Sequence, residues 1–193
     1  MTAAAPDRRL AELIRRMPKA ELHVHVEGSI EPATLLQLAA RRGEKLPADD
    51  EAGVREWFRF RDFAHFVEVY LACSRCLREP EDFQLVVAEF MAGQARQNIL
   101  YTEAHFTIST HVGNGADPDE LAQALRQTID EGRRRWGIEL RLIPDIVRNV
   151  GPEAADLTLE WALAHRGDLV AALGLAGFES VPNDAYREHF EIA

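Results

Sequence analysis

Apolar and polar positions along the chain alternate between two rhythms. Four short stretches rich in apolar and β-branched residues read as strands: residues 20–26 (AELHVHV), 99–109 (ILYTEAHFTIS), 138–147 (IELRLIPDIV) and 169–177 (LVAALGLAG). Between them the apolar spacing turns helical. Leu10, Leu13, Ile14 and Met17 fall on one stripe behind Asp7, a capping residue, and Pro18 ends it. The segment EPATLLQLAARRG (31–43) has proline in its first turn and glycine at its end. Residues 62–77 and 80–98 predict two helices divided at Pro80. Asp117 and Pro118 open a helix running to about Trp136, residues 151–165 predict another, and a last one begins after Pro182. GEKLPADDEAG (43–53) and HVGNGADPDE (111–120) read as loops. Strands alternating with helices imply parallel βαβ units, an α/β fold.

Composition narrows the function classes. The 193 residues suit one domain or part of a larger one. A formal charge of -10 leaves no basic footprint for nucleic acid, and no apolar run is long enough for a membrane. The first residues lack an uninterrupted apolar core of the secretory type, and there are only two cysteines, so a reducing, cytoplasmic setting is expected. Small-molecule chemistry is compatible with all of this.

His23 and His25 are the chemistry-bearing pair. Residues two apart in a strand share a face, so two imidazoles can meet one metal ion there. Such a pair is equally consistent with two satisfied histidines inside a sheet. Its place at the end of the first strand, just before Gly28, is where βα-barrels gather their chemistry. Tyr101, Glu103 and His105 share one face of the second strand, and Asp145 lies in the third. An inward imidazole–carboxylate pair is the preferred reading of these over metal ligation. His65, His111, His165 and His189 are expected to be solvated. A rival zinc pattern, His25-Val-Glu27 with Cys73-Ser-Arg-Cys76, imitates cytidine-deaminase-type enzymes. Ala72 stands where proline is needed, however, and the cysteines fall within the helical stripe of Phe63, Phe66, Val67, Tyr70 and Leu71. They read as small packed residues.

The segment MPKAELHVHVEGSIEPATLLQLAARRG resembles the opening of the adenosine/adenine deaminase family, zinc-dependent barrels of the amidohydrolase superfamily. QNILYTEAHFTIST resembles that family's second strand and LVAALGLAGFES its fourth. The resemblance implies a (β/α)8 TIM-type barrel, of which this chain holds the first four βα units. It implies hydrolytic deamination of an adenine-containing nucleoside or base (adenosine, adenine or aminodeoxyfutalosine) with release of ammonia. His23 and His25 match the first two ligands of Zn2+ or another divalent metal. Glu27 matches an acidic position near the sugar hydroxyls, and Gly177 a glycine whose N–H faces the purine. Phe60, Phe63 and Phe66 match the region of a helical lid by position, although plain core is the expectation for them. His105 stands where arginine is common, Phe178 where an acidic residue is, and Glu27 replaces aspartate. These departures bear on the substrate more than on the reaction.

The family's third histidine ligand, glutamate proton donor, catalytic histidine and metal-binding aspartate would lie beyond Ala193, so no catalytic acid or base is expected in this chain. Residues 1–193 are therefore expected to be the N-terminal half of the barrel. A half-barrel leaves two parallel edges and an apolar inner face uncovered. The missing half, or a second copy of the chain, is the expected partner beside a purine substrate. The alternative is a non-catalytic half-barrel that acts only by association.

Overall fold

The computed structural model describes residues 7–193. Residues 1–6, the start of the stretch read for a secretory signal, lie outside the described residues. Four parallel strands, β1 (Lys19–His25), β2 (Ile99–Phe106), β3 (Glu139–Val147) and β4 (Gly174–Ala176), lie side by side in chain order. This is half of a sequentially wound βα-barrel, as the alternation of strand and helix predicted. β4 is much shorter than the nine-residue apolar run that suggested it. Its first part, around Val170, makes only isolated bridges, to Leu142 and Arg166.

The helices start and stop where the sequence places its signals. Asp7 Oδ1 accepts the N–H of Arg9 at 2.9 Å to open α1 (Arg8–Arg16). α2 (Pro32–Arg42) begins at proline and ends on Gly43 with φ 67°, where a side chain would be strained. Two helices appear in segments read as loops or strand ends, α3 (Glu51–Trp57) and α6 (Ile108–Gly113). Asp50 caps α3 by accepting from Gly53 N–H, a cap hidden inside the acidic run at 49–51. α4 (Phe63–Cys76), α5 (Pro80–Arg96), α7 (Pro118–Trp136), α8 (Pro152–Ala164) and α9 (Arg187–Ile192) complete the set. Asp82, fully buried, anchors the start of α5. It accepts from the Glu79 backbone and binds Arg42 at 2.5 Å, which ties α5 to α2.

Along β2 the burial alternates. Thr102, Ala104 and Phe106 are buried beneath the helices, and Tyr101, Glu103 and His105 face the other, concave side. The main core lies between sheet and helices, around Leu35, Leu38, Phe83, Met91, Phe106, Leu121 and Leu142. The stripe of α1 forms as expected but stays exposed, and no element among the described residues covers it. Among the described residues no helix is long and apolar enough to cross a membrane.

Candidate metal centre and cavity

Parallel pairing sets His25 of β1 directly beside His105 of β2. Their rings stack with centroids 4.9 Å apart. Asp145, two residues past the His105 partner Ile143 on β3, reaches back across the sheet. Its Oδ1 lies 2.8 Å from His105 Nδ1, so the inward imidazole–carboxylate pair predicted from alternation is present. Its Oδ2 lies 3.6 Å from His25 Nδ1.

Neither His25 Nδ1 nor Asp145 Oδ2 has a hydrogen-bond partner, although both are buried. Buried polar atoms left unpaired are costly, and a cation between these two would satisfy both. One ligand atom from each of His25, His105 and Asp145 falls within 4.8 Å of the others. Burial holds the His25 imidazole below its ordinary pKa, against the opposing charges of Asp145 and Glu27. That favours the neutral form that binds metals. The hydrogen bond to Asp145 shifts His105 the other way, upward. The donor set, two imidazoles and a carboxylate, suits Zn2+ or a similar divalent ion. His23 stands beside this group, exposed, with its ring centroid 4.4 Å from that of His105 and 5.6 Å from that of His25. The sequence pair His23 and His25 is thus together in space, and His105 and Asp145 join it.

A cavity of about 590 Å³ opens from these histidines. Its walls include Phe63, Phe66 and Tyr70 of α4, Thr107 at the exit of β2, and Gly177 and Phe178 beyond β4. Gly177 has φ 89°, and a side chain there would collide with Asn149 Oδ1, 2.6 Å away. The close approach and the left-handed backbone both require glycine. Phe60, Phe63 and Phe66 are not plain core. Phe60 and Phe63 are more than half exposed, and Phe63 meets Phe178 edge-on at 5.8 Å across the cavity mouth. An apolar helix face over a cavity has the same sequence pattern as one over a core.

Glu27 lies behind the cavity wall. It is fully buried in a 3-10 turn (Glu27–Ser29), where Oε1 accepts from Thr107 N and from His111 Nε2, each at 2.9 Å. Burial pushes its carboxyl up, but the His111 and Thr107 contacts outweigh that and leave it below its ordinary range. His111 is as completely buried as Glu27, and His65 is buried too, so the expectation that they are solvated is corrected. α6 turns His111 inward, a fold invisible beneath the glycines at 113 and 115. His165 and His189 are half-buried rather than solvated. Cys73 and Cys76 are free and buried within α4, as packed helix residues, and they stand apart from the metal-binding group.

Comparison with known proteins bears on the family and the fold. A family model described as adenosine deaminase matches residues 18–193. An adenine deaminase from Vibrio parahaemolyticus is 32% identical over 166 residues, covering 86% of this chain and 49% of its own length. One from Albidiferax ferrireducens is 35% identical over 171 residues, with coverages of 89% and 49%. The crystal structure of an amidohydrolase with bound Zn from Burkholderia ambifaria superposes with a TM-score of 0.81 at 26% identity. That alignment covers 98% of this chain and 51% of the other. The chain spans about half the length of the curated relatives it matches.

Proposed function

Because the chain belongs to the adenosine deaminase family, we propose that it forms the first half of a barrel that hydrolytically deaminates an adenine-type ring. In that reaction the exocyclic amine is replaced by oxygen, one water is consumed and ammonia leaves. The observation that carries the reading is the convergence of His25, His105 and Asp145, of which His25, with His23 beside it, lines a 590 Å³ cavity.

In this reading His23 and His25 hold a divalent metal, Zn2+ first among the candidates, and Asp145 and His105 supply further donor atoms. A bound ion of this kind brings the pKa of water from 15.7 to about 7 and so makes a strong nucleophile available at neutral pH. The chain's own residues do the rest of what this half contributes. Asp145 orients His105 through the 2.8 Å bond and keeps a second oxygen directed at His25. Phe63, Phe66 and Val67 form apolar walls that exclude bulk water. The N–H of Gly177 lies where no side chain can intervene and faces the purine. The proton donor and the remaining ligands belong to the second half of the barrel, which also covers the open edge of β1. A second copy of the chain is the other candidate for that edge. Cys73 and Cys76, both free, suit a reducing cytoplasm.

The curated relatives favour free adenine. The test is ammonia release from adenine, adenosine and aminodeoxyfutalosine by the metal-loaded full barrel. Release from one of them, abolished together with zinc retention in the His23→Ala, His25→Ala variant, is the expected result. No release from any, or zinc retained in that variant, overturns the assignment.

A further inference from the structure

The buried Glu27–His111 pair raises a question that metal binding leaves unanswered. A carboxylate out of contact with solvent is costly to desolvate, so its burial is weak evidence for a purely stabilising role. Neither residue lines the cavity, and neither belongs to the metal-binding group. What Glu27 does hold is Thr107, through the backbone N–H at 2.9 Å, at the point where β2 gives way to α6.

Thr107 does reach the cavity, and so does Tyr70. Their hydroxyl oxygens are 2.8 Å apart, and the Tyr70 ring stands edge-on to His25, centroids 5.7 Å apart. Two hydroxyls carry two protons but need only one for the bond between them. The pair therefore has one O–H beyond that bond, within reach of Glu27 as well as of the cavity, and spare lone pairs to accept. Thr107 is 3% exposed, and a hydrogen bond made from such a site counts for more than one made in water. Thr110 and Asn149 also line the cavity, but Asn149 is exposed and neither adjoins His25.

We propose that the Tyr70–Thr107 hydroxyl pair is the polar contact by which this chain binds a purine ring, and that Glu27 and His111 are positioning residues that fix it from outside the cavity. The ligand class rests on the function proposed above. The pair can donate to a ring nitrogen and accept from a ring N–H or an exocyclic group, which suits a heteroaromatic edge of mixed polarity.

The test is calorimetric titration of the zinc-loaded full barrel with hypoxanthine and inosine, purines that deamination would release rather than consume. Tyr70→Phe and Thr107→Val are each expected to weaken binding about three- to ten-fold, with zinc content unchanged and the melting temperature lowered by the loss of their mutual hydrogen bond. Glu27→Gln is expected to weaken binding as well, but to add nothing in the Tyr70→Phe, Thr107→Val background. A merely structural Glu27 would instead give additive losses. Unchanged affinity in both hydroxyl variants overturns the proposal, even if Glu27→Gln fails to fold. An active wild type whose hydroxyl variants bind normally sinks this contact and leaves the deaminase reading standing. A wild type that binds inosine through Tyr70 and Thr107 but releases no ammonia does the reverse.

Discussion

His105 and Asp145 are bonded across neighbouring strands, Nδ1 to Oδ1 at 2.8 Å, and the bond leaves Asp145 Oδ2 directed at His25. Asp145 is 1% exposed, so its charge is poorly screened and its partners are few. Replacing it by alanine removes one ligand atom and the group that orients another. Zinc affinity is expected to fall at least 10–100-fold, the range for losing an orienting partner alone. Competition against a chelator of known affinity measures it. Asp145→Ala protein that holds zinc as tightly as wild type would place the metal elsewhere.

Gly174 pairs with Asp145 between β3 and β4. A Cβ at 174 would fall on Asp145 Oδ1 and lie 3.1 Å from Ile143 Cγ2. Gly174→Ala must therefore push the carboxylate away from His105 or part the strands. We expect a loss of roughly 1–3 kcal/mol in stability, the usual range for overpacking, together with weaker zinc binding. Urea unfolding with and without zinc separates the two effects. A fully stable, zinc-replete variant would show that Asp145 can adapt.

The His105–Asp145 pair was legible because strand alternation alone puts both side chains on the inward face of adjacent strands. The pairing of Glu27 with His111 was not. It joins residues 84 apart through α6, whose Gly113 and Gly115 made the segment read as loop. The role of Phe63 is hidden in the sequence for a different reason. Its 3.6-residue stripe with Phe66, Val67 and Tyr70 marks an apolar face, and periodicity does not say whether core or cavity lies beneath. Cys73 and Cys76 were legible as packed residues because that same stripe carries them into the helix interior.

Those cysteines give a chemical check on the fold. Burial, then the neighbouring Cys76, pushes the Cys73 thiol up to about 12, and burial with Glu44 pushes Cys76 to about 11. Since only the thiolate reacts, iodoacetamide at pH 8 should leave both unmodified in the native protein and label both in denaturant. Mass spectrometry counts the adducts. Rapid native labelling would mean that α4 opens, and with it the cavity wall formed by Phe66 and Tyr70.

His165, at the end of α8, offers a pH test away from the metal-binding group. Burial lowers its pKa, and Arg126, whose Nη2 is 3.3 Å from Nδ1, lowers it further. Asp119 and Asp168 oppose the shift, and Trp161 packs against the ring at 4.7 Å. With the folded pKa below the ordinary 6.5, the unfolded chain takes up the proton first as pH falls. The stability contributed by neutral His165 is therefore present above about pH 6.5 and is lost as pH drops through that value toward the folded pKa. His165→Gln keeps an acceptor for Arg126 but cannot titrate. The stability difference, wild type minus variant, should shrink between pH 7.5 and pH 5.5 in paired urea titrations. A difference that stays constant over that interval would mean that the Asp119 and Asp168 carboxylates cancel Arg126 and burial at this site, and one that widens that they outweigh them.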